Sequence, residues 1–328
     1  MPGLVRKRCL RVQPNTDRTE VREIGDPRPG AGEVSIDVAC AGINFTDVMA
    51  RRGDPGYAPS WPYVPGLEVS GTVRQIGSGV TGLAAGQRVA AFTRGGGLAE
   101  VAVAEAPLVV PLPREVSLPV AAAAPLMLST AFLLLSEVAR FRPGESVLMH
   151  SASGGVGGAV AQLVPALGGG LRIGTVGRAG KVADALHSGW DVALVRDGHL
   201  AEAARAAAAG GVDIILDPSG TSLLDIDLDI AAPGGRIVLF GNSGGGQPAP
   251  LPPLSRLIGG NLALAGFSMS RLTATAPGRA ATALRRVLEL VAAGSYPWPS
   301  PRSARSTRSL ACTSCSRKAA ATGSMSSV

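Results

Sequence analysis

The chain has 328 residues, of which 46% are hydrophobic, so it is long enough for two domains with separate cores and too apolar to be largely disordered. Its formal net charge of +7 does not indicate a nucleic-acid-binding face, because five basic residues lie beyond residue 300 and the remainder holds 26 basic against 24 acidic residues. We therefore predict no nucleic-acid partner.

Cysteine usage and the start of the chain predict a cytoplasmic protein. The four cysteines are too scattered for a disulfide framework, and the first eight residues are not followed by the apolar stretch of a signal peptide. The uncharged stretch Val116–Ser136 imitates a membrane span, but Pro119 and Pro125 interrupt it. We predict helices buried at a domain junction there, and no membrane partner.

The first part of the chain is predicted to be a β-rich, antiparallel domain. Extended runs occur between residues 9 and 38 on either side of a turn at 25–32. Further short strands are predicted at Val69–Ile76, Arg88–Phe92 and Ala99–Ala102, with glycine-containing turns between them.

A glycine-rich turn between a strand and a helix indicates a dinucleotide-binding site. Ser146–His150 is an apolar run typical of a buried strand, and an apolar helix follows the glycines. Positions without side chains let a pyrophosphate approach the backbone, while the N–H groups and dipole of the helix attract its charge. A ligand-free turn fits this pattern alone equally well. The cofactor-binding residues predicted here are Ser153, Gly154, Gly155, Val156 and Gly157.

The chain after this turn alternates between strands and helices, which predicts a parallel sheet with right-handed crossovers. Strands are predicted at Leu171–Val176, Val212–Leu216 and Arg236–Phe240, and a helix at Leu200–Ala209. The cofactor is expected at the carboxyl ends of the strands, where Phe240 and Gly241 would contact it.

Several motifs follow one another in order along the chain, at Gly42–Val48, Trp61–Gly71, Gly96–Val101, Pro111–Pro113, Ser151–Gly157, Asp213–Asp217 and Gly234–Gly241. Taken together, these motifs resemble the zinc-free quinone oxidoreductase and polyketide enoylreductase branch of the medium-chain dehydrogenase/reductase superfamily, where they occur in the same order. The resemblance covers about nine-tenths of the chain.

The resemblance implies an α/β protein with two domains. A β-rich GroES-like catalytic domain is expected at residues 1–120, and a Rossmann domain with a doubly wound parallel sheet and bound NADPH at 121–265. Residues 266–300 would return toward the catalytic domain. The family also implies a homodimer, which we expect to form through Asn261–Phe267.

No metal site is predicted. A catalytic zinc needs about three ligands and a structural zinc about four. Where zinc-dependent relatives carry cysteine and histidine this sequence has Asn44 and Leu67, and no cysteine lies between Cys40 and Cys312. The three histidines are interpreted as packed or solvated residues: His150, His187 and His199.

Without a metal, the resemblance implies hydride transfer from NADPH to a small-molecule quinone or α,β-unsaturated carbonyl compound. Asn44 would orient ring or carbonyl oxygens, and Tyr57 occupies a family position near the substrate, either as a donor or as a pocket wall. Thr130 matches a family threonine near the nicotinamide, whereas Tyr63 is interpreted as structural.

Two other functions stay open at this point. One is an enoyl-thioester reductase of polyketide or fatty-acid biosynthesis, and the other is a nucleotide-binding protein with little or no catalytic activity. The identity of the substrate does not follow from the sequence.

A preference for NADPH over NADH follows from the residues after the second strand of the cofactor domain. NAD-selective sites place an acidic residue there, but the first acidic residue after the glycine turn is Asp184, inside the next helix. Arg178 and Lys181 are predicted to bind the 2′-phosphate. The alternative is that both are solvated residues at the entry of a helix.

Two departures from the family are evident. Pro165 falls well inside the helix after the turn, where its ring opposes the carbonyl of Ala161 and is expected either to cost about 3 kcal/mol or to kink the helix. Residues 301–328 contain no acidic residue and no helical or strand period, which suggests a disordered or frame-shifted tail. The pair Cys312 and Cys315 within it is interpreted as accidental.

Overall fold

A computed structural model describes residues 6–12, 19–245, 250–296 and 310–312, which form two compact units. The first unit contains the described residues of Met1–Ser129, Ser270–Gly294 and Pro299–Val328. The second contains those of Thr130–Met269 and Ser295–Trp298.

The secondary structure follows the predicted change from strands to alternating strands and helices. The strands are β1 (Arg6–Val12), β2 (Thr19–Gly25), β3 (Glu33–Gly42), β4 (Glu68–Ile76), β5 (Arg88–Phe92), β6 (Val101–Glu105), β7 (Val109–Pro111), β8 (Val147–His150), β9 (Arg172–Val176), β10 (Val192–Val195), β11 (Val212–Asp217), β12 (Ala231–Leu239), β13 (Ala263–Gly266) and β14 (Leu310–Cys312). The α-helices are α1 (Phe45–Arg52), α2 (Leu118–Ala121), α3 (Ser129–Leu133), α4 (Gly155–Ala166), α5 (Val182–His187), α6 (Leu200–Ala207), α7 (Leu224–Ile230), α8 (Leu254–Gly260), α9 (Met269–Thr275) and α10 (Pro277–Ala292).

The first unit is built on antiparallel strands, as its sequence predicts. β1 and β2 form a hairpin, while β14, β3, β4, β5 and β7 lie side by side in that order and β6 also pairs with β3. Val34, Ile36 and Val38 occupy every second position of β3 and are buried against Val69 and Val89. This core fixes the ends of β3 and β4, from which the polar residues described below extend.

The second unit is a parallel sheet with strand order β10-β9-β8-β11-β12-β13. Every residue of β8 is buried, which explains the apolar run Val147–Met149 before its final histidine. The order reverses between β8 and β11, as in doubly wound dinucleotide-binding folds. The predicted Rossmann-type sheet is therefore confirmed.

The uncharged stretch Val116–Ser136 forms short, mostly buried helical segments. α2 and α3 are separated by a π-helical turn at Ala124–Leu128, and a second such turn occupies Leu134–Val138. In the part of the chain that the structure describes, no helix has the length and apolar character needed to cross a bilayer.

Pro165 lies inside the helix that follows the glycine turn, as predicted, but near its end rather than well inside it. It is the penultimate residue of α4, which ends at Ala166. The ring of a proline prevents a bond to the carbonyl four residues earlier. Here the Arg172 guanidinium donates to the Ala161 oxygen at 3.1 Å, so that carbonyl keeps a partner.

Two short strands of the first unit, β7 and β14, were not predicted from the sequence. β14 lies in the supposedly structureless tail and pairs antiparallel with β3, with Leu310 opposite Gly42 and Cys312 opposite Cys40. The remainder of the predicted tail, including Cys315, lies outside the described residues.

Candidate functional site

The carboxyl ends of the parallel strands bring together most of the predicted cofactor residues in the second unit. β8 ends at His150 and β11 at Asp217, on either side of the point where the strand order reverses. Crevices outside the carboxyl ends of strands at such a point bind ligands in open α/β sheets. The loops after β8, β9, β10, β11 and β12 therefore define the candidate site of this unit.

The glycine turn after β8 is held in one conformation by its neighbours. Ser151 has a positive φ of 60°, which is uncommon for a residue with a side chain. The Trp190 indole donates to the Ala152 oxygen at 3.1 Å from a buried position. A Cβ on Gly157 would lie 2.5 Å from the same oxygen, so α4 packs on the turn only without a side chain there.

The start of α4 offers backbone donors to an anion. Gly154 is the N-cap and is exposed, and Gly155 and Val156 are half-buried behind it. The first N–H groups of a helix have no acceptor in a preceding turn, and the helix dipole adds positive potential there. Ser153, also half-buried, completes the turn. This arrangement fits a pyrophosphate.

Arg196 is a candidate cofactor residue that the sequence did not reveal. It directly follows β10, and its guanidinium lies 3.5 Å from the Ser151 hydroxyl and 3.4 Å from the Ser219 hydroxyl. Both contacts are at the weak limit for a hydrogen bond. A Cβ on Gly177 would lie 3.1 Å from this guanidinium. Within the described part of the chain, Arg196 has no carboxylate partner, so its charge is available to an anionic ligand.

Arg178 and Lys181 lie in the loop that follows β9. Arg178 is extended and precedes a short 3₁₀ turn at Ala179–Lys181, and both side chains are exposed. They are therefore free to contact a ligand, and this exposure fits the solvated alternative equally well.

Two further loops meet at the same edge of the sheet. The backbone N–H of Phe240 donates to the backbone carbonyl oxygen of Asp217 at 3.0 Å, and that of Ser243 donates to the carbonyl oxygen of Pro218 at 2.8 Å. A Cβ on Gly241 would lie 2.9 Å from the Pro218 oxygen, so the loops approach each other closely at this glycine. Phe240 is half-buried and Gly241 is exposed.

The histidines occupy packed or solvated positions, as predicted. His150 is fully buried, with Nδ1 2.7 Å from the Thr175 hydroxyl and Nε2 2.7 Å from the Asp227 carboxylate. This network fixes the end of β8 beneath the glycine turn. His187 and His199 are exposed. Among the described residues, no group of three or more histidine, cysteine or acidic side chains is arranged to hold a metal ion.

A second cluster of polar residues lies in the first unit, where β3 runs into α1. Asn44 is half-buried at the N-cap of α1, and its backbone N–H donates to the Asp47 carboxylate at 2.8 Å. The other Asp47 oxygen accepts from the Gly66 N–H at 2.9 Å. Burial raises the pKa of Asp47 despite these two bonds. Asp47 thus ties the start of α1 to the loop before β4.

Glu68, the first residue of β4, is the buried partner of Asn44. The Asn44 amide nitrogen donates to one Glu68 oxygen at 2.8 Å, and the Leu126 N–H donates to the other at 2.7 Å. Glu68 is 2% exposed, and burial raises its pKa to about 7, with a smaller contribution from the charge of Asp47. From the sequence, attention fell only on the position before Glu68, where Leu67 stands in place of the histidine of zinc-dependent relatives.

The titration of Glu68 gives a testable stability profile. Its pKa rises from 4.5 to about 7 on folding, so between these values the folded chain holds a proton that the unfolded chain has lost. The free energy of unfolding therefore falls as pH rises through this window, by up to roughly 3 kcal/mol. Urea unfolding of the wild type and Glu68→Gln at pH 5 and pH 8 is expected to favour the variant increasingly at pH 8. Parallel pH profiles would contradict the assignment.

Tyr57 lies beyond α1 and is half-buried against Tyr63 and Ala50. Burial and the charge of Asp54 raise the pKa of Tyr57, so it keeps its proton at neutral pH. Tyr63 is 8% exposed and packs edge-on against Trp61, with ring centroids 6.4 Å apart, which agrees with a structural role. Thr130 is buried, at 6% exposure, in α3 of the second unit.

Two family models match the chain. The alcohol dehydrogenase GroES-like domain matches residues 30–114, and the model described as zinc-binding dehydrogenase matches residues 155–289. The second description names a metal for which this chain lacks the family's ligands, as Asn44 and Leu67 show.

Several proteins of known sequence or structure are similar to this chain. The human synaptic vesicle membrane protein VAT-1 homolog-like is 37% identical over 66% of this chain and 51% of its own length. Rat quinone oxidoreductase is 34% identical over 66% of this chain and 67% of its own length. The Escherichia coli quinone oxidoreductase complexed with NADPH superposes with a TM-score of 0.77 at 28% identity, covering 91% of both chains. The chain spans about half the length of the first of these curated relatives.

Proposed function

The chain belongs to the zinc-free branch of the medium-chain dehydrogenase/reductase superfamily, and from this premise we propose that it is an NADPH-dependent, zinc-independent reductase of quinones or α,β-unsaturated carbonyl compounds. The observation that carries the proposal is the glycine turn at the point where the strand order reverses. Gly157 has no room for a side chain, and the N–H groups of α4 open next to it. These features fit the pyrophosphate of a dinucleotide.

NADPH rather than NADH is supported by the charges at the same edge of the second unit. Arg196 has no carboxylate partner among the described residues, and Arg178 and Lys181 are exposed in the neighbouring loop. Guanidinium groups form charge-assisted forks to phosphates. We assign Arg196, with Arg178 and Lys181, to the 2′-phosphate. Phe240, Gly241 and Thr130 are proposed to line the rest of the cofactor site.

The first unit supplies hydrogen-bond donors for the reaction. When bound, NADPH supplies a hydride. One N–H of the Asn44 amide is used by Glu68, which leaves the second as a donor to a ring or carbonyl oxygen. Tyr57 retains its proton at neutral pH and is therefore a donor as well. Donors of this kind stabilise the negative charge that develops on a carbonyl oxygen during reduction of a conjugated double bond.

Tyr57→Phe tests the proposed donor. The variant removes one hydroxyl and keeps the ring that packs on Tyr63. We expect the turnover rate with an enone to fall by about tenfold to a hundredfold, with NADPH affinity unchanged. Tyr63→Phe is the matched control, because Tyr63 packs in the same cluster. An unchanged rate and unchanged stereochemistry of α-protonation in Tyr57→Phe would contradict the role of donor and would mean that Tyr57 only lines the pocket.

A panel of acceptors separates the candidate functions. Steady-state NADPH oxidation would be measured with a naphthoquinone, an alkyl enone and a crotonyl thioester, in buffer containing a chelator. Turnover with the first two is the expected result. A preference for the thioester would select an enoyl-thioester reductase. NADPH binding without turnover would select a nucleotide-binding protein, and activity restored only by zinc would overturn the metal-free assignment.

We also propose a homodimer formed through the edge of the parallel sheet. β13 is the last strand of that sheet and pairs with β12 on one side. Beside it in the chain, Leu251, Leu254 and Ile258 are each at least 65% exposed. Exposed apolar side chains next to an open strand edge favour association. We propose a cytoplasmic location as well. Some relatives are named for a synaptic vesicle membrane, so the comparisons alone do not establish this location.

The dimer is tested by the molar mass in solution. Light scattering of the wild type is expected to give twice the chain mass, and Leu254→Glu with Ile258→Glu to give the chain mass. Leu186→Glu is the control, because Leu186 is also exposed but lies on α5, and this variant is expected to keep the molar mass of the wild type. A monomeric wild type at micromolar concentration would contradict the proposal.

A further inference from the structure

The contact between Asn44 and Glu68 restricts the Asn44 amide more than an ordinary surface hydrogen bond would. Glu68 is 2% exposed, and both of its oxygens accept hydrogen bonds, one from Asn44 and one from the Leu126 backbone. The Met127 N–H points to the same oxygen as that of Leu126, at 3.4 Å. A carboxylate accepts hydrogen bonds and donates none. The nitrogen end of the Asn44 amide must therefore face it.

Backbone groups of two other elements lie close to the Glu68 carboxylate and restrict its position. A Cβ on Gly42 would lie 2.2 Å from the Glu68 oxygen that receives the Asn44 bond. Gly42 is the last residue of β3, so the absence of a side chain there makes the space that the carboxylate occupies. The backbone donors belong to the π-helical turn at Ala124–Leu128, which presents two successive N–H groups to one oxygen.

We infer that Glu68 is a positioning residue for Asn44, and that its ionised carboxylate selects the amide orientation in which the second Nδ2–H remains available to a ligand oxygen. This inference rests on the role of Asn44 in the proposed function. A protonated Glu68 donates as well as accepts, so it tolerates the flipped amide. Asp47 is the other carboxylate that affects Glu68, and it is held by the N–H groups of Asn44 and Gly66.

A functional consequence is a pH dependence carried by a residue that does not touch substrate. Burial raises the pKa of Glu68 to about 7, so the orientation of Asn44 is expected to change across neutral pH. Turnover is expected to rise from pH 6 to pH 8 as Glu68 ionises and Asn44 is fixed as a donor.

The direct test observes the Asn44 amide itself. The chain contains four asparagines, so selective ¹⁵N-asparagine labelling of the full chain gives four side-chain signals, and Asn44→Ala assigns one of them. We expect the Asn44 signal to move with a midpoint near pH 7 in the wild type and to be insensitive to pH in Glu68→Gln. Gly42→Ala keeps the carboxylate but displaces it, and is expected to shift the Asn44 signal as well. An Asn44 signal that titrates identically in the wild type and in Glu68→Gln overturns the inference.

A double-mutant cycle then separates positioning from a structural role. Glu68→Gln is expected to lower kcat by about tenfold in the wild-type background and to have no further effect in Asn44→Ala. An equal loss in both backgrounds would mean that Glu68 acts through stability alone and would also overturn the inference. If the wild type oxidises no NADPH with any acceptor, the proposed function fails, while the ¹⁵N titration still decides whether Glu68 orients Asn44.

Discussion

Gly157→Ala is expected to weaken NADPH binding by about tenfold to a hundredfold, because an added methyl group collides with backbone. A Cβ at this position would lie 2.5 Å from the Ala152 oxygen and 2.8 Å from its Cα. Neither atom belongs to a flexible side chain, and Trp190 holds the same carbonyl from the other side. The turn must therefore move away from α4, at a cost of about 1–3 kcal/mol, and the backbone N–H groups lose their alignment.

The adjacent glycine provides a matched control in the same helix. A Cβ on Gly158 meets nothing closer than the Ser188 side chain at 3.9 Å, which is ordinary contact. Gly158→Ala is expected to leave NADPH affinity within about twofold and to stabilise the chain slightly through helix propensity. Fluorescence titration with NADPH and urea unfolding of both variants are sufficient. Equal affinities of the two alanine variants would show that the turn does not hold the cofactor.

Arg196→Ala is expected to weaken NADPH by about tenfold to a hundredfold and to change NADH affinity by less than about twofold. The guanidinium lies at the carboxyl edge of the sheet, within 3.5 Å of the Ser151 and Ser219 hydroxyls, and has no carboxylate partner in the described residues. A lost charge-assisted contact to a phosphate costs about 1.5–3 kcal/mol. NADH lacks that phosphate, so only NADPH should lose affinity.

Two further variants complete the titration. Arg178→Ala, in the exposed loop after β9, is expected to weaken NADPH more than NADH. The size of this loss measures how much Arg178, which was predicted from the sequence, contributes to NADPH affinity. Arg205→Ala removes one positive charge from α6, where Arg205 pairs with Asp229, and is expected to change neither affinity. If NADPH and NADH weaken equally in Arg196→Ala, or if the wild type prefers NADH, the 2′-phosphate assignment is wrong.

Strands and glycine turns of the cofactor unit could be predicted because their signals are local. The tight turn from β8 into α4 needs residues without side chains, so its glycines are recognisable from the sequence. The apolar runs of buried parallel strands can likewise be recognised within one segment, without knowing which strands pair. The strand β10 escaped notice because Val192–Val195 is only four residues long and half-buried. Arg196 was missed with it, although its position directly after an apolar run is the signal that would have revealed it.

Residues whose role depends on distant contacts could not be predicted. Glu68 lies 58 residues before Leu126 in the sequence, and only the fold brings the Leu126 N–H to its carboxylate. Pro165 was expected to cost stability or to kink its helix. That α4 ends one residue later, and that the Arg172 guanidinium donates to the Ala161 oxygen, is visible only in the folded chain. β14 is only three residues long, so its sequence is too short to show an alternating pattern, and only its pairing with β3 reveals it.

The proposed reaction is tested most directly by following a deuterium atom. The wild-type chain, in buffer with a chelator, would be given an alkyl enone and NADPH deuterated at either C4 position, and the products analysed by mass spectrometry and NMR. Hydride transfer without a metal predicts that one of the two labelled cofactors yields a saturated ketone with one deuterium at the β-carbon and a solvent proton at the α-carbon. A saturated ketone without deuterium from either cofactor, or no product unless zinc is added, would contradict it.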